Sequence, residues 1–335
     1  MPPAPTPEDF AALDAAAIVC RLPDLGSLRI EGPDAASFLH GQLSSDVAGL
    51  RPGALQRSTY NSPKGRVLAD LVLWRNGQDE HRFDALMAAD LTGPIAKRLA
   101  MFVLRAKVKL RDDTQACVRI GVAGPAASAV ISAVVGSAPA VATAAVHEQA
   151  TVAALPEGGF VVVADIASGL LEALAQRARR VDPVLWHATR VRAGVPLVTA
   201  ATSDQFVAQA LNFDALGGVS FQKGCYPGQE IVARTQYLGR LKERLYAFRA
   251  AGAMPSPGTR VFAASFGEQP CGTVIVSAPS PDPAASDLLA VAQRSAVEAD
   301  TLRLGAPDGP ALTRRTLPYA LPEPVAPRGR IAAPL

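Results

Sequence analysis

Aromatic residues make up only 5% of this 335-residue chain, so a packed interior has to be assembled mainly from Ala, Val and Leu. Cysteine is scarce as well. Cys20, Cys117, Cys225 and Cys271 lie too far apart for any CxxC pair, and the four histidines are equally scattered. That argues against a Cys/His zinc site or a disulfide scaffold and suits a reducing compartment, so no stably bound metal is expected. Charge of one sign is missing too: 33 Lys+Arg against 30 Asp+Glu leave +3, well short of the clustered basic footprint of a dedicated nucleic-acid binder. No stretch reaches the roughly 18 to 20 uninterrupted apolar residues that a membrane helix needs. The first basic residue is Arg21, unlike the start of a secretory signal or an Arg-rich transit peptide. The expectation is a soluble, cytoplasmic chain of bacterial type with no membrane partner.

What is present is a globular composition, 49% hydrophobic and 19% charged, on a length that suggests two or three domains. Strand-like runs alternate with helical patterns over the first 240 residues. Leu28-Arg29-Ile30 leads through Gly32-Pro33 into DAASFLHGQL, and Val118 to Val122 leads through Gly124-Pro125 into AASAVISAVV. In both, the proline suits a first helical turn, where its missing N–H would be unpaired anyway. A third such unit starts at Gly158, and together they suggest repeated β-α units of an α+β domain. After about Tyr237 the pattern becomes short strands at Leu245–Arg249, Thr259–Ala263, Gly272–Ser277, Leu288–Gln293 and Thr301–Leu304, with no convincing helix between them. Such spacing predicts a small β-barrel or sandwich. Residues 1–7 and 322–335 read as loose Pro/Ala-rich tails.

The most informative segment is Gly217 to Arg234, GGVSFQKGCYPGQEIVAR. Pro227-Gly228 precedes a run with helical spacing, which would put Cys225 near a helix N-terminus with Lys223 two residues upstream; both features favour a thiolate. The alternative is a small buried hydrophobe, the commoner fate of a single cysteine. Ser62-Pro63-Lys64-Gly65 fits a tight turn with proline second and glycine fourth, which leaves Lys64 and Arg66 at a hairpin tip, either solvated or facing a ligand.

KGCYPGQE, at Lys223 to Glu230, resembles the signature of the YgfZ family, the folate-binding relatives of the glycine-cleavage T-protein. Further segments in the same order extend the resemblance over nearly the whole chain. They are Phe38-Leu39-His40-Gly41-Gln42, the PKGR turn at Pro63 to Arg66, Trp186 with Arg190-Val191-Arg192-Ala193-Gly194-Val195-Pro196, Phe206 to Asn212, Tyr237-Leu238-Gly239 and Lys242-Glu243-Arg244-Leu245. The resemblance implies an α+β, GcvT-like folate-binding fold with ferredoxin-like β-α subdomains around a central channel, over residues 1–240 with a break near 115. A C-terminal β-barrel at 241–321 and a tail at 322–335 would follow.

It also implies a tetrahydrofolate cofactor contacted by Trp186, Arg190, Lys64, Arg66, Asp70, Gln229 and Arg234, and a functional thiol at Cys225 supported by Lys223, with Asp70 as the acid of the site. A pterin needs a stacking surface and a few polar groups, and its glutamate tail needs cations; Trp186 is otherwise a core-filling residue. The chain departs from the family at four places. Ala69 replaces the first of two paired acids, Arg192 replaces a glutamate that addresses the pterin in T-protein relatives, Leu25 replaces a second folate-packing tryptophan, and Ala208 replaces a proline.

The implied function is a folate-binding accessory protein for iron–sulfur cluster assembly or repair, with client iron–sulfur proteins as partners and an indirect effect on tRNA modification. The alternative is a tetrahydrofolate-dependent one-carbon transferase, which the loss of one acid weakens. Direct RNA binding would have to use the segment Arg234 to Arg249, which Glu230 and Glu243 dilute, and is not expected.

Overall fold

The two Gly-Pro junctions set the pattern of the fold. In the computed structural model, which describes residues 5–148, 150–237 and 241–322, strand Leu25–Glu31 passes through Gly32 into helix Ala35–Gln42. Strand Cys117–Ala123 passes through Gly124 into helix Ala127–Val135 in the same way. Both glycines have positive φ, +136° and +111°, where a side chain would be strained. Each junction closes with a backbone hydrogen bond, from Ala35 N–H to Gly32 O at 2.9 Å and from Ala127 N–H to Gly124 O at 3.0 Å. Each proline therefore belongs to a turn ahead of its helix, whose caps are Asp34 and Ala126, and not to the first helical turn that the sequence suggested.

Three sheets organise the chain. The first has five antiparallel strands in the order Leu55–Asn61, Val67–Arg75, Arg82–Ala88, Leu25–Glu31 and Lys109–Asp112. Its strand Val67–Arg75 is buried from Val67 through Trp74, so Asp70 is a carboxylate inside an otherwise apolar layer. The second sheet orders Arg179–Arg180, Ile18–Arg21, Cys117–Ala123, Phe160–Asp165, Ala150–Ala154 and Thr143–Val146. It thereby takes strands from both sides of residue 115, joining Ile18–Arg21 to a unit that otherwise begins at Cys117. Helices Ala127–Val135 and Leu170–Ala175 pack on it through Val130, Ile131, Leu170 and Leu174.

The third sheet is antiparallel and runs Arg303–Leu304, Arg260–Phe262, Pro270–Pro279, Ala285–Gln293, Glu243–Ala251 and Leu312–Arg315. Irregular register between Val274 and Val276 and between Val261 and Phe262 bends it. Its two ends meet at the Arg303–Ala311 bridge, with Leu304 N–H on Pro310 O at 2.9 Å and Leu312 N–H on Leu302 O at 2.8 Å, which closes a barrel. The sequence reading missed the closing strand Leu312–Arg315 and the helix Arg294–Ala299. No helix among the described residues is long and apolar enough to cross a membrane.

Candidate functional site

Helix Trp186–Ala193 runs along the junction of the sheets and ends at Gly194, whose φ of +67° forms the cap. One face of it, Thr189, Arg192 and Ala193, lines a cavity of about 710 Å3 shared with Arg57, Glu157 and Tyr319. Glu157 is the tip of the tight turn joining strands Ala150–Ala154 and Phe160–Asp165, closed by Leu155 N–H on Gly159 O at 3.0 Å. Arg57 projects from strand Leu55–Asn61 and forms an ion pair with Glu157, both side chains buried. Desolvation works against the Glu157 carboxylate, but the Arg57 guanidinium, with Arg190 beyond it, outweighs that and holds its pKa below the ordinary glutamate range. Arg57 Nη1 and Glu157 Oε1 are left without hydrogen-bond partners.

The mouth of the cleft is set by residues near both ends of the chain. Arg192, the departure from the family pattern, is half exposed and paired with Asp14 from helix Pro7–Ala15. Tyr319, beyond the barrel, donates its hydroxyl proton to Gly194 O at 2.7 Å and accepts from Asn212 Nδ2 at 3.2 Å. A side chain at Gly194 would meet the Tyr319 ring at 2.8 Å, so this glycine both ends the helix and seats the C-terminal segment.

Trp186, Arg190 and Asp70 do not line this cleft; they form the layer behind it. The indole of Trp186 is 1% exposed and lies over Gly121, where a Cβ would come within 2.6 Å of its ring. The missing side chain at Gly121 lets the indole sink into the core. Asp70 Oδ1 accepts from Val198 N–H at 2.7 Å, and Arg190 Nη1 donates to Pro196 O at 3.2 Å. Burial raises the Asp70 pKa, against the opposing pull of Arg190 and the Val198 N–H. The pair thus fixes the Val195–Val198 segment that backs the cleft. Leu25 is core, 1% exposed.

The loop around Cys225 is a second, separate locus. The Ser62–Gly65 turn forms as expected, with Gly65 N–H on Ser62 O at 2.9 Å, and Lys64 and Arg66 are exposed. Gly65, at φ +71°, packs against Gly228, at φ +76°; a Cβ on Gly228 would lie 2.5 Å from Gly65 Cα and from Ser62 O. The two motifs therefore touch backbone to backbone, which brings Lys64 and Arg66 to the thiol loop and not to the cleft. Helix Gln229–Tyr237 starts after this contact, so Cys225 stands outside its first turn; the exposed Arg234 lies along it. Gln209 Nε2 holds this helix through Val232 O at 2.7 Å, and Arg244 grips Asp214 at 2.7 and 2.9 Å. Leu238 and Gly239 of the Tyr237-Leu238-Gly239 match lie outside the described residues.

Cys225 is exposed, whereas Cys20 and Cys271 are buried and Cys117 is half-buried. Lys223 donates to Leu43 O at 2.7 Å and to His40 O, at the C-terminal end of helix Ala35–Gln42, where a cation is favoured by the helix dipole. Burial brings its pKa down to about 8, against the pull of Asp46 and Cys225. Gln229 Nε2 reaches Lys223 O at 3.4 Å. Lys223 is thus the strut of the loop as well as a cation close enough to interact with the thiol. Lys223→Met leaves two backbone carbonyls unpaired and is expected to cost about 1–3 kcal/mol. Hydrogen exchange should show the loss concentrated at residues 220–226, and uniform exchange across the chain would contradict this.

Sequence reasoning missed Arg57 and Glu157. An arginine in a polar strand and a glutamate in a Pro-Glu-Gly-Gly turn carry the ordinary signal of solvated groups, and nothing local shows that they meet. Among the described residues, no three His, Cys, Asp or Glu side chains converge as a metal site would require.

Residues 4–160 match the GCVT N-terminal domain. The crystal structure of glycine cleavage system aminomethyltransferase T from Bartonella henselae superposes with a TM-score of 0.74 over 96% of this chain and 90% of that one, at 17% identity. The architecture is therefore that of the GcvT-like α+β proteins with a C-terminal barrel. At closer range, tRNA-modifying protein YgfZ of Enterobacter sp. (strain 638) is 30% identical over 329 residues, 96% of this chain and 99% of the relative. The YgfZ proteins of Escherichia coli O157:H7 and Klebsiella pneumoniae (strain 342) are 30% and 29% identical, each over 90% of this chain. The chain belongs to the YgfZ family.

Proposed function

We propose that the cleft between Arg57, Glu157 and Arg192 takes a reduced folate, and that the protein acts through Cys225 as an accessory to iron–sulfur proteins in the cytoplasm. The observation that carries the folate reading is the pair of unpartnered polar atoms in the cleft wall, Arg57 Nη1 and Glu157 Oε1. A pterin edge presents N–H donors beside a carbonyl acceptor, the complement of a carboxylate oxygen beside a guanidinium N–H. Glu157 supplies from another strand pair the carboxylate that Arg192 has displaced, and Arg192 at the mouth suits the anionic glutamate tail. Trp186 and Asp70 then support the cleft from behind, and Lys64, Arg66, Gln229 and Arg234 belong to the thiol locus. The cofactor, when bound, would bring one-carbon chemistry to the cleft.

The accessory reading is preferred over one-carbon transfer for a chemical reason. A carboxyl group that moves a proton at the folate has to reach it and exchange that proton near neutral pH. Asp70 is engaged with Val198, and Glu157 is held ionised by Arg57. A single cysteine cannot hold a four-thiolate cluster alone, so Cys225 would meet a cluster jointly with thiols of a client or during exchange. The relatives' name, tRNA-modifying protein, fits an effect exerted through cluster-containing modification enzymes, without direct nucleic-acid binding.

Cys225→Ala is expected to leave stability within about 0.5 kcal/mol and tetrahydrofolate affinity unchanged, while cluster-dependent enzyme activities fall in cells that carry only this variant. Normal activities in such cells would remove the role given to the thiol.

A further inference from the structure

A second cavity, of about 500 Å3, lies away from both loci described above. It opens between the start of strand Leu25–Glu31, the first turn of helix Ala89–Ala100, the His187 side of helix Trp186–Ala193 and the barrel strand Pro270–Pro279. Its walls are mostly apolar, from Val184, Leu197, Met254, Ile275 and Val276. Its polar side chains are Asp24, Asp90, His187, Thr199, Ser256 and Ser277, and none of the lining residues is Lys or Arg.

Three of those polar groups are unsatisfied. Asp24 Oδ2, His187 Nδ1 and Thr199 Oγ1 are closed off from solvent and have no hydrogen-bond partner. His187 Nε2 faces Asp24 Oδ2 at 3.4 Å, without the alignment of a hydrogen bond. Burial lowers the His187 pKa and Arg190 lowers it further, with Asp24 pulling the other way, which favours the neutral ring. Asp90 spends Oδ2 on Ala200 N–H at 2.9 Å and keeps its other oxygen. An unmet buried polar atom costs about 1–3 kcal/mol, so three on residues lining one cavity favour a polar occupant.

We propose that this cavity binds a small amphipathic amine, a compact apolar body carrying one protonated nitrogen. The ammonium sits between Asp24 and Asp90 and donates to both carboxylates, and the apolar body lies on Val184, Leu197 and Ile275. Two carboxylates, with no Lys or Arg among the lining residues, favour a cationic N–H donor over an anion. The walls are shared by the N-terminal α+β region and the barrel, so an occupant would hold the two together. This site is independent of the folate reading.

The test uses the full chain and phenethylamine as the probe, with phenethyl alcohol as its neutral counterpart. Binding is read from the ring resonances of 15N-labelled histidine, of which the chain has four. The expected result is a saturable shift at His187 with a Kd on the order of 1 mM, at least tenfold weaker binding of the alcohol, and a tenfold weakening in Asp24→Asn. Met254→Trp, at an exposed rim position, should plug the cavity and abolish the shift with folding intact, which keeps the test decisive if Asp24→Asn fails to fold. Equal affinity for amine and alcohol, an unchanged shift in Met254→Trp, or no saturable shift at His187 would overturn the proposal.

Discussion

Gly228→Val should loosen the Cys225 loop and destabilise the protein by about 2–5 kcal/mol, the sum of a strained backbone and an overpacked contact. Gly228 has φ +76° and faces backbone: a Cβ would lie 2.5 Å from Gly65 Cα and 2.7 Å from Gly65 N. Backbone cannot rotate away as a flexible side chain can, so the Ser62–Gly65 turn would have to leave the start of helix Gln229–Tyr237. Gly217→Ala is the matched control, because Gly217 also has positive φ, +71°, but has open space around it. It should cost only about 1 kcal/mol. Chemical denaturation of the two variants separates the conformational cost from the contact; equal losses would mean that the two turns do not depend on each other.

Glu157→Ala should cost about 3–5 kcal/mol, the usual consequence of removing one partner from a buried ion pair. The charge left behind is Arg57, which is 3% exposed, with the buried Asp70 as its remaining acidic neighbour. Replacing both, as Arg57→Met with Glu157→Leu, should recover most of the loss, because no unpaired charge remains. The pH dependence has a definite sign. The Glu157 pKa is lower in the folded protein than its ordinary value of 4.5, so its contribution is fully present above that value and disappears as the pH falls through the folded pKa. Denaturant titrations from pH 7 into the acid range should show the wild type and Glu157→Ala converging as the pH falls through the folded pKa. A gap that persists at low pH would mean that packing, not charge, accounts for the difference.

Local chemistry made part of this molecule readable in advance. The Gly-Pro junctions, the Ser62–Gly65 turn and the barrel strands are dictated by residues close together in the chain, and they form where the sequence puts them, apart from the one-turn shift of Pro33 and Pro125. Helix Arg294–Ala299 is too short to express a 3.6-residue period, and strand Leu312–Arg315 has only Leu312 buried, so neither carries a pattern. The resemblance named the right segments, but several of their residues work as struts: Lys223 on a helix end, Asp70 on Val198, Arg190 on Pro196, Gln209 on Val232. Glycines explain the difference, since Gly121 admits the Trp186 indole and Gly65 and Gly228 admit each other. The Arg57–Glu157 pair was illegible because it joins a strand of one sheet to a turn of another.

Calorimetric titration of tetrahydrofolate into the wild type, Glu157→Gln and Cys225→Ala tests the assignment of the cleft most directly. Glu157→Gln keeps the shape of the turn and removes the anionic acceptor, so affinity should fall at least tenfold, in line with the roughly 1.5–3 kcal/mol of a hydrogen bond to a charged group. Cys225→Ala should bind as the wild type does. Unchanged binding in Glu157→Gln, with loss in Cys225→Ala, would contradict the assignment and move the folate to the thiol loop.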